Sequence, residues 1–337
     1  MSLTSPTYEP LLDRFGRVHT NLRVSVTDRC NIRCFYCMPE QNVVFRPRDE
    51  LLTFEEMERF VRVVTTLGVD KLRLTGGEPL LRRELPELIR RLSAIRGIRD
   101  LALTTNGMLL TQQAVELKRA GLDRLNISLD TLQEETFQRI SRRAGLQQVL
   151  DGIAAAREAG FSNIRLNALA IRDVNEEEIV SLGQFAREHD LELRFIEFMP
   201  LDADRAWTND DVLTGDMVRS RLEGAFGPLV PVSQSDPSQP ARDYLYADGR
   251  GRIGLINPIS QPFCESCNRL RLTSEGQVRN CLFSSTEWDA RALLRAGASD
   301  DQLRQLIRDS VAAKHAAHGI GEADFQQPSR AMYQIGG

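Results

Sequence analysis

The stretch Asp28-Arg29-Cys30-Asn31-Ile32-Arg33-Cys34-Phe35-Tyr36-Cys37-Met38-Pro39 sets three cysteines at C-x3-C-x2-C spacing, directly after the apolar run Leu22 to Val26. A second triplet, Cys264-x2-Cys267-x13-Cys281, uses the remaining cysteines of the chain. Two sets of three thiols with none left over read as two iron–sulfur clusters. A four-iron cluster held by three thiolates leaves one iron open to a ligand that is not protein. Paired disulfides are the alternative in an oxidising compartment, but the polar, mixed-charge stretch Met1 to Asn21 has no secretory pattern, so a reducing, cytoplasmic setting is expected. Zinc would suit the second triplet if a fourth ligand joined it. His19, His189, His315 and His318 all lie outside the usual ligand spacing of any cysteine.

The chain has 337 residues, enough for about two domains. Its 42% hydrophobic content suits a packed core, and no apolar run approaches the roughly 20 residues of a membrane helix, so no membrane partner is expected. With 43 basic and 47 acidic residues the net charge is −4, which gives no general attraction to nucleic acid. An anionic ligand must therefore be held by locally clustered arginines.

Outward from the first triplet, short β-branched runs alternate with amphipathic stretches, as parallel strands joined by crossover helices do. The pattern predicts strands at Leu22–Val26, Lys71–Thr75, Leu101–Thr105, Arg124–Leu129, Ile164–Ile171 and Glu192–Phe198. Helices are predicted at Phe54–Leu67, Leu85–Ala94, Thr111–Ala120, Glu134–Ile140, Leu146–Ala159 and Glu176–Glu188. Periodicity alone leaves a partial (β/α) barrel and a doubly wound sheet equally open. In either, reactive groups belong at the C-terminal ends of strands. There lie the cysteines after the first strand, Gly76-Gly77-Glu78-Pro79 after the second, Asn106-Gly107 after the third, Ser128-Leu129-Asp130 at the fourth and Met199-Pro200 after the sixth.

Composition changes near residues 200–240, where Ser233 to Pro240 reads as a polar linker. Short strands Tyr244–Ala247 and Arg252–Asn257 follow, then the second triplet and helices at Trp288–Arg295 and Asp300–Lys314. Cys267-Asn268-Arg269-Leu270-Arg271-Leu272 reads as a strand with Arg269 and Arg271 on one face. Two guanidiniums side by side ask for an anion, and their forks match phosphate; a solvated basic face is the plainer alternative.

The first triplet, with the aromatic Tyr36 before its third cysteine, resembles the signature of the radical S-adenosylmethionine (SAM) enzymes. That resemblance implies a fold and a chemistry. The fold is α/β: an incomplete (β/α)6 barrel over residues 1–232, capped by a small C-terminal α+β domain over residues 233–337 that carries the second cluster. The chemistry is reductive cleavage of S-adenosylmethionine at the open iron of the cluster on Cys30, Cys34 and Cys37. Tyr36, Gly77, Glu78, Ser128 and Met199 would then bind the cofactor. Standing alone, the glycine pair would be only a tight turn.

Within that superfamily the chain resembles, from about Arg14 onward, the GTP 3′,8-cyclase family of molybdenum cofactor biosynthesis. The motifs are Ser25-Val26-Thr27-Asp28-Arg29-Cys30, Arg73-Leu74-Thr75-Gly76-Gly77-Glu78-Pro79-Leu80-Leu81-Arg82, Arg194-Phe195-Ile196-Glu197-Phe198-Met199, the arginine strand after Cys267 and the terminal Ile335-Gly336-Gly337. The resemblance implies two [4Fe-4S] clusters, the second on Cys264, Cys267 and Cys281 with its open iron at the guanine edge. It implies GTP as substrate, held by Arg23, Lys71, Arg73, Thr104, Arg165, Arg194, Arg269 and Arg271. Hydrogen removal from C3′ and attack on C8 would give 3′,8-cyclo-7,8-dihydro-GTP. A reducing electron donor would feed the reaction and cyclic pyranopterin monophosphate synthase would take the product; homodimerisation is left open. Arg165 departs from the family's usual lysine, which changes donor geometry but keeps the charge. The glycine tail would reach toward the site, although alone it reads as a loose terminus. Two other functions stay open at this stage: a radical SAM enzyme acting on a peptide, and a metal-bearing nucleic-acid module, against which the acidic balance counts.

Overall fold

A computed structural model describes residues 9–202, 204–234, 236–323 and 325–336; Gly337 and the linker residue Ser235 lie outside the described residues. The N-terminal two thirds alternates strand and helix: β1 (Asn21–Ser25), α1 (Phe54–Thr65), β2 (Lys71–Thr75), α2 (Leu85–Ser93), β3 (Asp100–Thr105), α3 (Leu110–Arg119), β4 (Arg124–Ser128), α4 (Glu134–Ser141), α5 (Leu146–Glu158), β5 (Ile164–Ala170), α6 (Ile179–Glu188) and β6 (Glu192–Glu197). Every strand expected from the pattern is present, with ends moved by a residue or so. The helices form for local reasons as well as for burial. Thr53 caps α1 in a reciprocal box with Glu56, and Met57, Phe60, Val61 and Val64 form its buried stripe.

Strands β1 to β6 are parallel and neighbour one another in chain order. A doubly wound sheet would reverse that order at a switch point, so the observed order is that of a partial barrel. The pleat sorts the side chains. On β1, Leu22 and Val24 are fully buried toward the helices, and the alternate Asn21 and Arg23 take the other face; on β2, Leu72 and Leu74 alternate with Lys71 and Arg73. The apolar core therefore lies between sheet and helices, and the concave face is polar.

After β6 come α7 (Gly215–Phe226), β7 (Leu229–Pro231), β8 (Arg242–Tyr246), β9 (Arg252–Ile256), β10 (Arg269–Leu272), β11 (Gln277–Arg279), β12 (Trp288–Asp289), α8 (Ala290–Arg295), α9 (Asp300–Ala312) and α10 (Met332–Ile335). These later strands continue the sheet at both edges: β9 lies parallel to β6, with β8 and β7 beyond it, and β10 lies parallel to β1, with β11 and β12 beyond it. The connection from β9 to β10, residues 257–268, thus runs from one edge of the partial barrel to the other, and it carries Cys264 and Cys267. Trp288 and Asp289, expected in a helix, form a short strand. The Asp289 carboxylate accepts from Ala292 N at 2.9 Å, so it caps α8 from outside.

Candidate functional site

The first cysteine loop leaves β1 and is held by the loop after β2. Gly77 N–H donates to Thr27 O at 2.8 Å, and Glu78 N–H to Arg29 O at 2.7 Å. A Cβ on Gly76 would lie 2.5 Å from Thr27 O, and one on Gly77 2.4 Å from Arg29 O. Close backbone approach is thus what both glycines provide. Glu78 is 1% exposed, and its carboxylate accepts from Leu80 N, Thr105 Oγ1 and Asn106 N. Burial raises its pKa to about 7 against those donors. In the structure Glu78 therefore fastens the loops together. Asn106 continues the chain of contacts, donating to Asn31 Oδ1 at 2.8 Å and lying 4.0 Å from Cys30 Sγ.

Cys30, Cys34 and Cys37 are free and half-buried. Burial, then the Glu78 carboxylate, raises Cys30 to about 11, and burial raises Cys34 and Cys37 as well. Bare thiols here stay protonated, whereas a bound cationic iron centre would favour thiolate. The Tyr36 hydroxyl donates to Asp130 Oδ2 at 2.7 Å, and Asp130 Oδ1 accepts from Leu169 N at 2.8 Å, which ties the cysteine loop to the ends of β4 and β5. Ser128 borders a small recess with Cys34, Tyr36, Asn106 and Asp130. Its register partner is Asn167, which lines the cavity bordered by the second cysteine triplet, so the two spaces adjoin across β4 and β5.

The cysteine–arginine cavity has a volume of about 180 Å³ and is bordered by Cys264, Cys267 and Cys281, by Arg23, Arg73, Arg194, Arg269 and Arg271, and by Thr104 and Met199. A second recess of about 320 Å³ shares Arg23, Arg73, Arg194 and Arg269 and adds Lys71 and Arg165 toward the N-terminal ends of the strands. The eight residues expected to hold a nucleotide thus line two neighbouring recesses that share Arg23, Arg73, Arg194 and Arg269. Register explains the basic floor: Arg271, Arg23 and Arg73 lie directly opposite one another on β10, β1 and β2, with strands about 4.8 Å apart. Burial, then the charge of Arg271 and Arg269, pulls Arg23 well below its ordinary pKa, and burial, then Arg23, does the same to Arg73. Among the described residues neither forms an ion pair. The buried Arg73 Nε, Thr104 Oγ1 and Asn126 Nδ2 have no hydrogen-bond partner, so the lining is short of acceptors, as a phosphate or nucleobase ligand would require.

Other expected contacts already have partners. Lys71 pairs with Asp236, and Arg165 and Arg194 share Glu192. Arg269 places Nε 3.4 Å and Nη2 3.3 Å from Cys267 Sγ. Burial alone would raise Cys267, but Arg269 and then Lys314 take it down to about 5, so this site favours a thiolate ligand. Among the described residues no three His, Cys, Asp or Glu side chains close to single-ion spacing, which a lone zinc would need and a wider cluster would not. Arg271 donates to the Gly336 carbonyl, and Gly336 sits at φ +86° with its Cα beside Ser25 and Thr75, where a Cβ would come within 2.9 Å of Ser25 Cβ.

Asn126, Asn167 and Lys314 were not singled out from the sequence, whereas Asn106 and Asp130 fall among the strand-end groups expected there. The signal for the first two was an inward polar residue in period two on strands otherwise read as apolar.

Residues 24–186 match the model of the radical SAM superfamily, and residues 191–320 match that of Molybdenum Cofactor Synthesis C. The chain is 56% identical over 330 residues to a GTP 3′,8-cyclase of Rhodopirellula baltica, covering 97% of this chain and 92% of that protein. It is 44% identical over 328 residues to one of Streptomyces coelicolor, covering 97% and 96%. Among solved structures, Streptococcus suis SuiB bound to its precursor peptide superposes with a TM-score of 0.60 at 16% identity, over 86% of this chain and 66% of that one. SuiB bound to S-adenosylmethionine gives 0.58 at 14%, over 94% and 75%. At such identities these two likenesses concern the fold alone.

Proposed function

The chain belongs to the GTP 3′,8-cyclase family of the radical SAM superfamily, and from this we infer that it converts GTP to 3′,8-cyclo-7,8-dihydro-GTP, the first step of molybdenum cofactor biosynthesis. The observation that carries the reading is the row Arg271, Arg23, Arg73, without a carboxylate among the described residues, facing a cavity that Cys264, Cys267 and Cys281 also border.

Cys30, Cys34 and Cys37 would hold one [4Fe-4S] cluster and Cys264, Cys267 and Cys281 a second. When bound, the first cluster and S-adenosylmethionine would supply the radical chemistry for hydrogen removal from the ribose. The chain's own groups bind and orient. Tyr36, Gly77, Glu78, Ser128 and Met199 are assigned to S-adenosylmethionine; of these, Gly77 and Glu78 act at least in part by fixing the cysteine loop. Arg23, Arg73, Arg269, Arg271 and Thr104 are assigned to the nucleotide, with Lys71, Arg165 and Arg194 freed from their carboxylates as phosphate arrives. The segment crossing from β9 to β10 keeps water from the reacting carbon. Gly336, held by Arg271, brings the tail beside the ends of β1 and β2.

The reading extends to a domain boundary between residues 232 and 233, in the loop before β8. It also extends to a cytoplasmic setting, a reducing electron donor and transfer of product to cyclic pyranopterin monophosphate synthase. No helix is long and apolar enough to cross a membrane, among the described residues.

The test is anaerobic reconstitution with iron and sulfide, then dithionite and S-adenosylmethionine, with 5′-deoxyadenosine measured with and without GTP. GTP-dependent deoxyadenosine together with a cyclised product supports the assignment. Deoxyadenosine with GTP untouched removes the substrate, and none from a fully loaded protein removes the chemistry.

A further inference from the structure

Lys314 lies just past the end of α9, its N–H on Val311 O at 3.0 Å, and it is 2% exposed. Its Nζ lies 3.5 Å from Cys267 Sγ and 3.1 Å from Arg269 O. Among the described residues it pairs with no carboxylate. The basic groups around it do not help: Arg17 and Arg269 are cations, and the carboxylate that Arg17 holds at 2.5 Å, Asp13, forms no ion pair with Lys314 among the described residues. A buried ammonium without a counter-ion is costly, and one facing two cations more so. The acceptors in reach are the neutral carbonyl of Arg269 and the sulfur of Cys267, and of the two only the sulfur can carry a negative charge.

The same corner is built rigidly. Arg17 Nη1 donates to Cys264 O at 2.8 Å and to Ala316 O at 3.0 Å, and its Nη2 donates to His315 O at 2.7 Å. Asn280, beside Cys281, donates to Ser310 O on α9 at 2.7 Å. The end of α9 is thus fastened to the segments bearing Cys264 and Cys281 while Lys314 is aimed at Cys267.

We propose that Lys314 is a positioning residue for the C-terminal cluster: its ammonium donates to Cys267 Sγ and raises the reduction potential of the cluster that Cys264, Cys267 and Cys281 hold. The proposal rests on the reading of that triplet as a cluster site. Its physical basis is that a fixed positive charge and an N–H···S hydrogen bond stabilise the reduced, more negative cluster relative to the oxidised one.

The experiment compares full-length wild type, Lys314→Met and Lys314→Arg, each reconstituted anaerobically and assayed for iron and sulfide. Dithionite titrations followed by electron paramagnetic resonance then give the midpoint of each cluster. A Cys264→Ser/Cys267→Ser/Cys281→Ser variant identifies which signal belongs to the C-terminal site. In Lys314→Met the C-terminal midpoint is expected to move to more negative potential with the N-terminal one unmoved, and Lys314→Arg is expected to return it toward wild type. Loss of the C-terminal cluster from Lys314→Met but not from Lys314→Arg would support the same role. An unshifted midpoint in a loaded Lys314→Met protein overturns it. So does an equal effect in Lys314→Arg, which would point to packing rather than charge. A wild type that binds only one cluster overturns the cluster reading and this inference together.

Discussion

Arg73 lines the cavity beside Arg23 of the neighbouring strand, with burial and the charges of Arg23, Arg124 and Arg194 all opposing its ionisation. A residue so placed weakens the empty protein and strengthens the filled one. Arg73→Met keeps the aliphatic stem and removes the charge, so the nucleotide-free protein is expected to gain ~1 kcal/mol, a rise of roughly 2 °C in thermal midpoint. The same change is expected to raise KM for GTP at least tenfold, because a charged hydrogen bond is worth about 1.5–3 kcal/mol. An unchanged KM would remove Arg73 from the nucleotide site. His19 gives a second prediction. It is fully buried, its Nδ1 lies 3.0 Å from Arg17 O, and burial together with the charge of Lys314 lowers its pKa to about 4. The folded value lies below the unfolded 6.5, so the unfolded chain binds a proton first as pH falls. This contribution is therefore whole above pH 6.5 and is lost as pH drops toward 4, up to roughly 3 kcal/mol in all. Urea midpoints of the cluster-free chain should fall more steeply across that window in wild type than in His19→Gln; parallel curves would show that His19 does not govern the loss.

The loop carrying Asp236, Ser238 and Gln239 borders the basic recess, and Asp236 pairs with Lys71. The carboxylate occupies a cation that the proposed function gives to phosphate, so the two compete. A partly exposed pair of this kind is worth about 0.2–1 kcal/mol. Asp236→Asn is therefore expected to lower KM for GTP by roughly 1.4- to fivefold with kcat little changed; a raised KM would instead make Asp236 a support for the loop. Competition of this sort could not be read along the chain, because Lys71 and Asp236 are 165 residues apart and only the fold joins them. The same holds for Glu192, which sits on the strand beside Arg165 and claims it. What the chain did disclose was periodic. Strands β1 to β6 and their helices were legible because apolar residues recur at two or at three and four, and the cysteine triplets because their spacing is rigid. Helix α7 escaped: it has glycines at its first position and again at Gly224, and its start signal is a single threonine, Thr214, accepting from Met217 N. Strands β11 and β12 are three and two residues long, too short for a period to register.

At the scale of the whole molecule the C-terminal third does more than cover an opening. The backbone of β1 is bonded to β10 on one side and to β2 on the other, and β6 lies between β5 and β9. Both edges of the six-stranded sheet are thus closed by strands from residues beyond 232, and α9 packs against α1. Cutting the chain after residue 232 would expose two strand edges, and unpaired edges recruit other chains. It would also uncover the fully buried Leu22 and Val24 side of β1 where Leu270 and Leu272, themselves 1% and 0% exposed, now adjoin it. The fragment 1–232 is accordingly expected to unfold at lower urea than the full chain, to self-associate in sedimentation, and to lose iron from Cys30, Cys34 and Cys37 faster, because Arg271 and the tail no longer steady the ends of β1 and β2. Whether the third helps to make the barrel or only closes it turns on this one comparison. A monomeric fragment with the urea midpoint of the full chain would mean that β1 to β6 and their helices already hold the fold, leaving the C-terminal strands to supply the second cysteine triplet and the arginines alone.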